Sequence, residues 1–166
     1  MSPTRLEQAG APPAAPFDLE SFIPFLINKV GLTISQLFAR DVAEHGITVP
    51  MWRVLAVLAD RGELSLVDLA SLTAIDASTL SRLTTTLQRK RLISRRRSRR
   101  DKRELVIALT STGRDLTVTL IPIAEAYGRH LLARLTPEEI NTTREALYRM
   151  AEQLELLGRA PDPRNT

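Results

Sequence analysis

The chain has no cysteine, only two histidines, and 4% aromatic residues among its 166. Without thiols there are no disulfides, no oxidant sensing through thiolates and no Cys-type zinc site, which fits a reducing compartment. His45 and His130 are far apart and neither falls in an HxxxH or HExxH spacing, so no metal is expected. His45, just before Gly46, reads as serving a helix C-terminus, and His130 as a surface or interface residue. There is no glycine-rich phosphate loop and no nucleophile elbow, and Glu138-Glu139 already has a capping explanation. Neither an enzyme nor a cofactor is expected. No run of 18 apolar residues occurs and the N-terminus lacks a hydrophobic signal core, so the expectation is a soluble, cytoplasmic protein.

What is present is positive charge in one place. Between Arg82 and Arg103 there are eleven cationic side chains against Asp101 alone, a local +10 in a chain whose total is +4, leaving −6 for the remainder. A concentrated cationic segment on an acidic body suits a polyanion met in a fixed orientation, because neutralised phosphates release condensed counterions. Nucleic acid is the first partner to expect.

Pattern says more than charge. Asp76 can cap a helix over about residues 77 to 90, in which Leu80, Leu83 and Leu87 recur at helical spacing. Its other face carries Ser78, Ser81, Arg82, Thr85, Thr86 and Arg89, a set that suits base edges and phosphates in a major groove. A plain solvated face would look similar. Two strands follow, residues 92 to 97 and 103 to 109, the second alternating Leu105, Ile107 and Leu109 with Val106 and Ala108. The loop between them, residues 98 to 102, is strongly basic. Helix, strand, basic loop and strand make the layout of a winged helix-turn-helix, in which the loop can reach a minor groove.

The remainder reads as helices. Residues 1 to 16 hold four prolines and Gly10 and are expected to form a flexible arm. From Phe17 the spacing of Phe22, Leu26, Val30, Ile34, Leu37 or Phe38 and Val42 is helical, with Pro24 in the first turn. Ile23, Phe25, Ile27 and Leu32 widen the apolar surface until one neighbour cannot cover it, and a second subunit is the simplest other neighbour. Thr48 caps a helix carrying Trp52, Leu55, Val57 and Leu58 and stopping at Asp60-Arg61-Gly62. Ser65 and Asp68 are spaced as a capping box for a short helix ending near Leu72, joined by Thr73-Ala74-Ile75 to the Asp76 helix. Thr110 and Ser111 can cap a long helix toward Arg134, which Pro122 should bend. Thr136-Pro137-Glu138-Glu139 is a capping box for the last helix, which carries Ile140, Leu147, Met150, Ala151, Leu154 and Leu157.

The run LISRRRSRRDKRELVIALT, with Asp76 to Leu80 and Leu87 upstream and Gly113 downstream, resembles the signature of the multiple-antibiotic-resistance regulator (MarR) family across roughly residues 20 to 157. The resemblance implies that Arg103 enters the minor groove from the wing, and that Asp101 shapes the wing by pairing with Arg95 or Arg96. It also implies that the first and last helices interlock two subunits. Two positions depart from the family pattern: Arg91 stands where glycine is usual after the recognition helix, and Thr86 stands where many relatives have Arg, a contact Arg89 could supply.

The expected fold is therefore mainly α with a small β-wing. A winged helix-turn-helix domain over 48 to 110 is flanked by dimerisation helices over 17 to 47 and 111 to 158, with a flexible tail over 159 to 166. The expected function is that of a homodimeric, ligand-responsive regulator of transcription, a repressor on a pseudo-palindromic operator of double-stranded DNA. Ser78, Thr79 and Arg82 are the candidate base readers, Thr85, Thr86 and Arg89 the groove wall, and Arg97, Arg99, Arg100 and Arg103 the wing contacts. An effector such as an aromatic carboxylate or its thioester would lie near Phe38, Arg40, Trp52 and Arg53, which offer rings to stack and guanidinium groups to meet a carboxylate. The competing reading is that Phe38 and Trp52 are plain core and Arg40 and Arg53 are solvated. An effector-independent architectural protein and a winged domain acting on RNA or protein are the competing classes.

Overall fold

The computed structural model describes residues 17–97 and 105–159. Its elements, in chain order, are α1 (Ile23–Glu44), α2 (Val49–Arg61), β1 (Leu64–Ser65), α3 (Leu66–Thr73), α4 (Ala77–Arg89), β2 (Ile93–Arg97), β3 (Leu105–Leu109), α5 (Ser111–Leu132) and α6 (Pro137–Arg159). The expected fold class, mainly helical with a small wing, is what is found.

Local chemistry sets most of the boundaries. The Thr48, Ser65 and Thr110 hydroxyls accept from the amides of Met51, Asp68 and Gly113 at the starts of α2, α3 and α5, each satisfying an amide that the first turn leaves orphaned. At α6 the expected box closes in both directions: the Thr136 amide donates to Glu139 Oε2 at 2.8 Å and the Glu139 amide donates to Thr136 Oγ1 at 3.3 Å. The Thr136 amide first, and then the Thr136 hydroxyl, which also donates to Glu139 Oε2 at 3.0 Å, hold the Glu139 carboxyl below its ordinary value. His45 does close α1, followed by Gly46 at φ 68°. α5 runs unbroken through Pro122.

The core gathers Val42 of α1, Val54, Leu55 and Leu58 of α2, Leu69 of α3, Leu80 and Leu87 of α4, Ile93 and Ile107 of the sheet, and Leu120 of α5. Burying one such leucine is worth about 2 kcal/mol, and truncating Leu80 to Ala would cost roughly 2–5 kcal/mol through the lost contacts and the cavity left behind. Phe38 meets Trp52 and Tyr127 edge-to-face, at centroid distances of 5.7 and 5.6 Å. The Tyr127 hydroxyl donates to Asp41 Oδ2 at 2.7 Å, pinning α5 to α1. That bond raises the Tyr127 pKa.

The sheet holds a strand that the pattern did not suggest. Two-residue β1 pairs antiparallel with β3, which therefore lies in the middle of the order β1-β3-β2. Val106 sits between Ser65 and Arg96 across the ladder and is buried beside Ile107, while Leu105 is exposed. Strict alternation of one buried face along β3 thus gives way at Val106, where α2, α3 and α5 all pack against this strand.

Candidate nucleic-acid interface

α4 is built to show one face. Leu80, Thr84 and Leu87 are buried and Leu83 is half-buried, whereas Ser78, Thr79, Ser81, Arg82, Thr85 and Arg89 are exposed. At its start the Asp76 carboxylate accepts from the Ser78 hydroxyl at 2.7 Å and the Thr79 amide at 2.9 Å. The Ser78 hydroxyl first, and then the Thr79 hydroxyl and amide, hold Asp76 well below the usual carboxylate range. At its end α4 closes with paired bonds from the Leu92 amide to Leu87 O and from the Arg91 amide to Gln88 O, with Arg91 at φ 59°. This is the left-handed cap that glycine normally fills, so Arg91 carries backbone strain of about 1–2 kcal/mol. Ala74, between α3 and α4, is also left-handed at φ 52°, with nothing in its sequence context to announce it.

Several hydroxyls of the face are already committed. Thr85 and Thr86 donate to the carbonyls of Ser81 and Arg82 at 2.8 and 3.1 Å, and Ser78 donates to Asp76. Their oxygens remain acceptors, suited to amino groups on bases more than to phosphates. Cationic donors are left to Arg82, whose guanidinium has no hydrogen-bond or ion-pair partner among the described residues, and Arg89, whose Nη2 donates to Thr86 Oγ1 at 3.3 Å. Arg89 therefore lies beside Thr86, the position at which it was expected to supply a missing arginine.

Strand geometry sorts the arginine run. Successive side chains point to opposite faces, so Arg95 turns onto α4, donating from Nη2 to Ser81 O, Thr84 Oγ1 and Thr85 Oγ1. Arg96 turns the other way and forms an ion pair with Glu63, in the turn between α2 and β1. Neither Glu63 nor Thr84 was singled out from the sequence; strand alternation could have placed Arg95 and Arg96 on opposite faces but could not name their partners. Arg97 is exposed at the end of β2. Arg99, Arg100, Asp101 and Arg103 lie outside the described residues, and with them the expected pairing of Asp101.

Of the four candidate effector residues, the structure brings Phe38 and Trp52 into contact. Phe38 is buried against Trp52 and Tyr127, and Arg53 is exposed with Nη1 donating to Thr73 O at 3.4 Å. Arg40 is exposed on α1. An open apolar groove of about 510 Å³ lies next to this cluster between α1 and α5, with Leu26, Val30, Leu37 and Leu131 on its walls and Lys29 and His130 supplying cationic or polar groups. Tyr127 belongs to both the aromatic cluster and the groove.

A model of the MarR family matches residues 45–104. The chain is 31% identical over 137 residues to the homoprotocatechuate degradative operon repressor of Escherichia coli, covering 76% of this chain and 89% of the relative. The chain belongs to the MarR family. Membership makes it a transcriptional regulator. Two solved structures extend the likeness. One concerns the regulation of DNA binding of Bordetella bronchiseptica BpsR by 6-hydroxynicotinic acid, with TM-score 0.73 and 26% identity, covering 82% of this chain and 98% of that one. The other is a MarR family transcriptional regulator from Silicibacter pomeroyi, with TM-score 0.75 and 26% identity, covering 89% and 96%. Against the MarR pattern, glycine at position 113 has a steric reason here. A Cβ on it would sit 2.0 Å from the Leu92 carbonyl oxygen, the same oxygen that accepts from the Thr110 amide at 3.1 Å.

Proposed function

We propose that this regulator is a homodimeric repressor that places α4 of each subunit in successive major grooves of a pseudo-palindromic operator, with the β2–β3 hairpin reaching the flanking minor groove. The observation that carries the reading is the arrangement of α4. Its apolar face is fixed in the core while Arg82 and Arg89 stand exposed beside a hairpin that bears the arginine run. Ser78, Thr79 and Arg82 would read bases, Thr85, Thr86 and Arg89 would line the groove, and Arg97, Arg99, Arg100 and Arg103 would serve the wing. Dimerisation falls to residues 17 to 47 and 111 to 158, where apolar side chains of α1 and α6 are exposed among the described residues. The Escherichia coli relative is named as a repressor, which supports the sign of regulation.

Release by a small aromatic acid is supported by the likeness to BpsR, whose DNA binding is described as regulated by 6-hydroxynicotinic acid. The groove between α1 and α5, adjoining Phe38 and Trp52 through Tyr127, is where such an anion would meet both rings and positive charge. Binding would switch the protein only if its affinity differs between two spacings of the reading helices.

Replacing Arg103 with Ala tests the DNA reading: operator affinity should fall and the salt dependence should lose about one phosphate from its slope. Unchanged affinity and slope would remove the wing from the interface. A thermal-shift series with aromatic carboxylates and their coenzyme A thioesters tests the effector; no stabilisation by any of them would favour a regulator without an effector.

A further inference from the structure

We propose that Arg95 is a positioning residue that sets how the reading helix presents Arg82, and that its charge is spent inside the protein instead of on a phosphate. The inference rests on the DNA reading above. Arg95 leaves the middle of β2, opposite Ile107 of β3, and is half-buried. Its Nη2 bonds to Ser81 O at 3.2 Å, to Thr85 Oγ1 at 3.3 Å and to Thr84 Oγ1. Its Nε is buried with no hydrogen-bond partner among the described residues.

The acceptors are prepared for it. Thr84 is fully buried, and its hydroxyl proton is directed at Leu80 O and Ser81 O, at 2.9 and 3.0 Å. The Thr85 proton goes to Ser81 O at 2.8 Å. Both hydroxyl oxygens therefore face the guanidinium as acceptors, and a guanidinium has donors only.

Three acceptors within residues 81 to 85 fix α4 in two ways, its distance from β2 and its rotation about its own axis. Arg82 stands on that same turn, so the angle at which it enters a groove depends on the strand that leads into the wing. A rotation of α4 would withdraw these acceptors from donors held partly out of water and leave them unsatisfied. The helix is thus held in the one rotation that keeps the acceptors in place. Arg96 has no such reach, because strand alternation turns it to Glu63.

The test compares the wild-type protein with Arg95→Lys, Arg95→Gln, Thr84→Val, the Arg95→Lys/Thr84→Val double variant and Thr84→Ser. Probes are the best duplex that the wild-type protein selects from a randomised library and a random-sequence duplex of equal length, each titrated across a salt series. Lysine keeps the charge but is a point donor that cannot span the three acceptors. Arg95→Lys should lower preference for the selected duplex by about tenfold while leaving random-sequence binding and the salt slope as they were. Thr84→Val should lower preference similarly, the double variant should be no worse than the larger single effect, and Thr84→Ser should behave as wild type. In the free proteins, amides of residues 81 to 87 should exchange faster in Arg95→Lys and Thr84→Val, at a temperature where all variants remain folded.

Preference retained in both Arg95→Lys and Thr84→Val, or fully additive losses in the double variant, would overturn the proposal. So would Arg95→Gln weakening both duplexes equally with a slope lower by about one, which would make Arg95 a phosphate contact. A wild-type protein that prefers no duplex would overturn the DNA reading instead, and the exchange result would then report on the Arg95 contacts to α4 by themselves.

Discussion

The segment from α2 to β3 and the terminal helices solve burial in opposite ways. Between Thr48 and Thr110 most apolar groups are enclosed, against one another and against Val42 of α1 and Leu120 of α5: Val54, Leu55, Leu69, Leu80, Leu87, Ile93 and Ile107 are all within 2% of full burial, while Val67, Leu72 and Leu105 stay exposed. α6 has no buried residue among its described side chains, and Leu154 is 67% exposed. α1 lies between these cases, buried at Phe38 and Val42 toward its end but open at Ile23, Ile27, Val30 and Leu37. Exposed apolar rows of this length on two helices are what the proposed dimer would bury. The winged part is largely enclosed, and the terminal helices keep apolar rows exposed among the described residues.

The sharpest break in that contrast is to charge the terminal surface. Met150→Glu with Leu154→Glu should give a monomer at micromolar concentration by sedimentation velocity and weaken binding to the wild-type-selected duplex by about 100-fold or more, because two half-sites no longer act together. Circular dichroism should show the winged part still helical. A dimer that survives both charges would place the interface elsewhere.

Gly113→Ala works on the opposite side of the contrast. Its methyl group would lie 2.0 Å from the Leu92 carbonyl oxygen, backbone that also anchors the start of α5, so urea unfolding should show a loss of about 3 kcal/mol. Dimerisation at protein concentrations where the chain is folded should be unchanged.

A smaller effect is expected at Asp76. Asp76→Ala removes the cap of α4 and should lower Tm by about 2–4 °C. Because the folded-state pKa is depressed, the carboxylate adds stability above its ordinary value of 3.8 and loses it as pH falls through the folded value. The wild type should therefore lose stability below about pH 4 more steeply than Asp76→Asn, as followed by thermal melts across that range.

The smallest expected change is a gain. Ala74→Gly and Arg91→Gly each relieve about 1–2 kcal/mol of left-handed strain and give back about 0.4–1 kcal/mol in unfolded-chain entropy. A net stabilisation of about 0.5 kcal/mol in urea unfolding should remain for each. A loss at either position would show that the side chain contributes more than its backbone strain costs.

Much of this molecule was legible before folding because its signals are local. Thr48, Ser65, Asp76, Thr110 and Thr136 cap the helices they were expected to cap, since a capping side chain bonds amides only two or three residues away. The recognition helix and both wing strands fall within two residues of their expected bounds. β1 was not legible, because two residues carry no period and acquire strand geometry only by pairing with β3. The effector residues were grouped from position and side-chain type, yet Phe38 is enclosed by Trp52 and Tyr127, and the adjoining groove owes its shape to helices that meet only in three dimensions.

Charge divides along the same line. The amino-acid order by itself determined that cationic groups crowd residues 82 to 103, that a capped polar-faced helix precedes a hairpin, and that the ends of the chain carry apolar rows. Only the tertiary structure decided what each arginine does: Arg95 to the carbonyl and hydroxyls of α4, Arg96 to Glu63, Arg82 left outward. Adjacent residues on a strand face opposite environments separated by the sheet itself, and the partners waiting there come from residues 10 to 33 positions away in the chain.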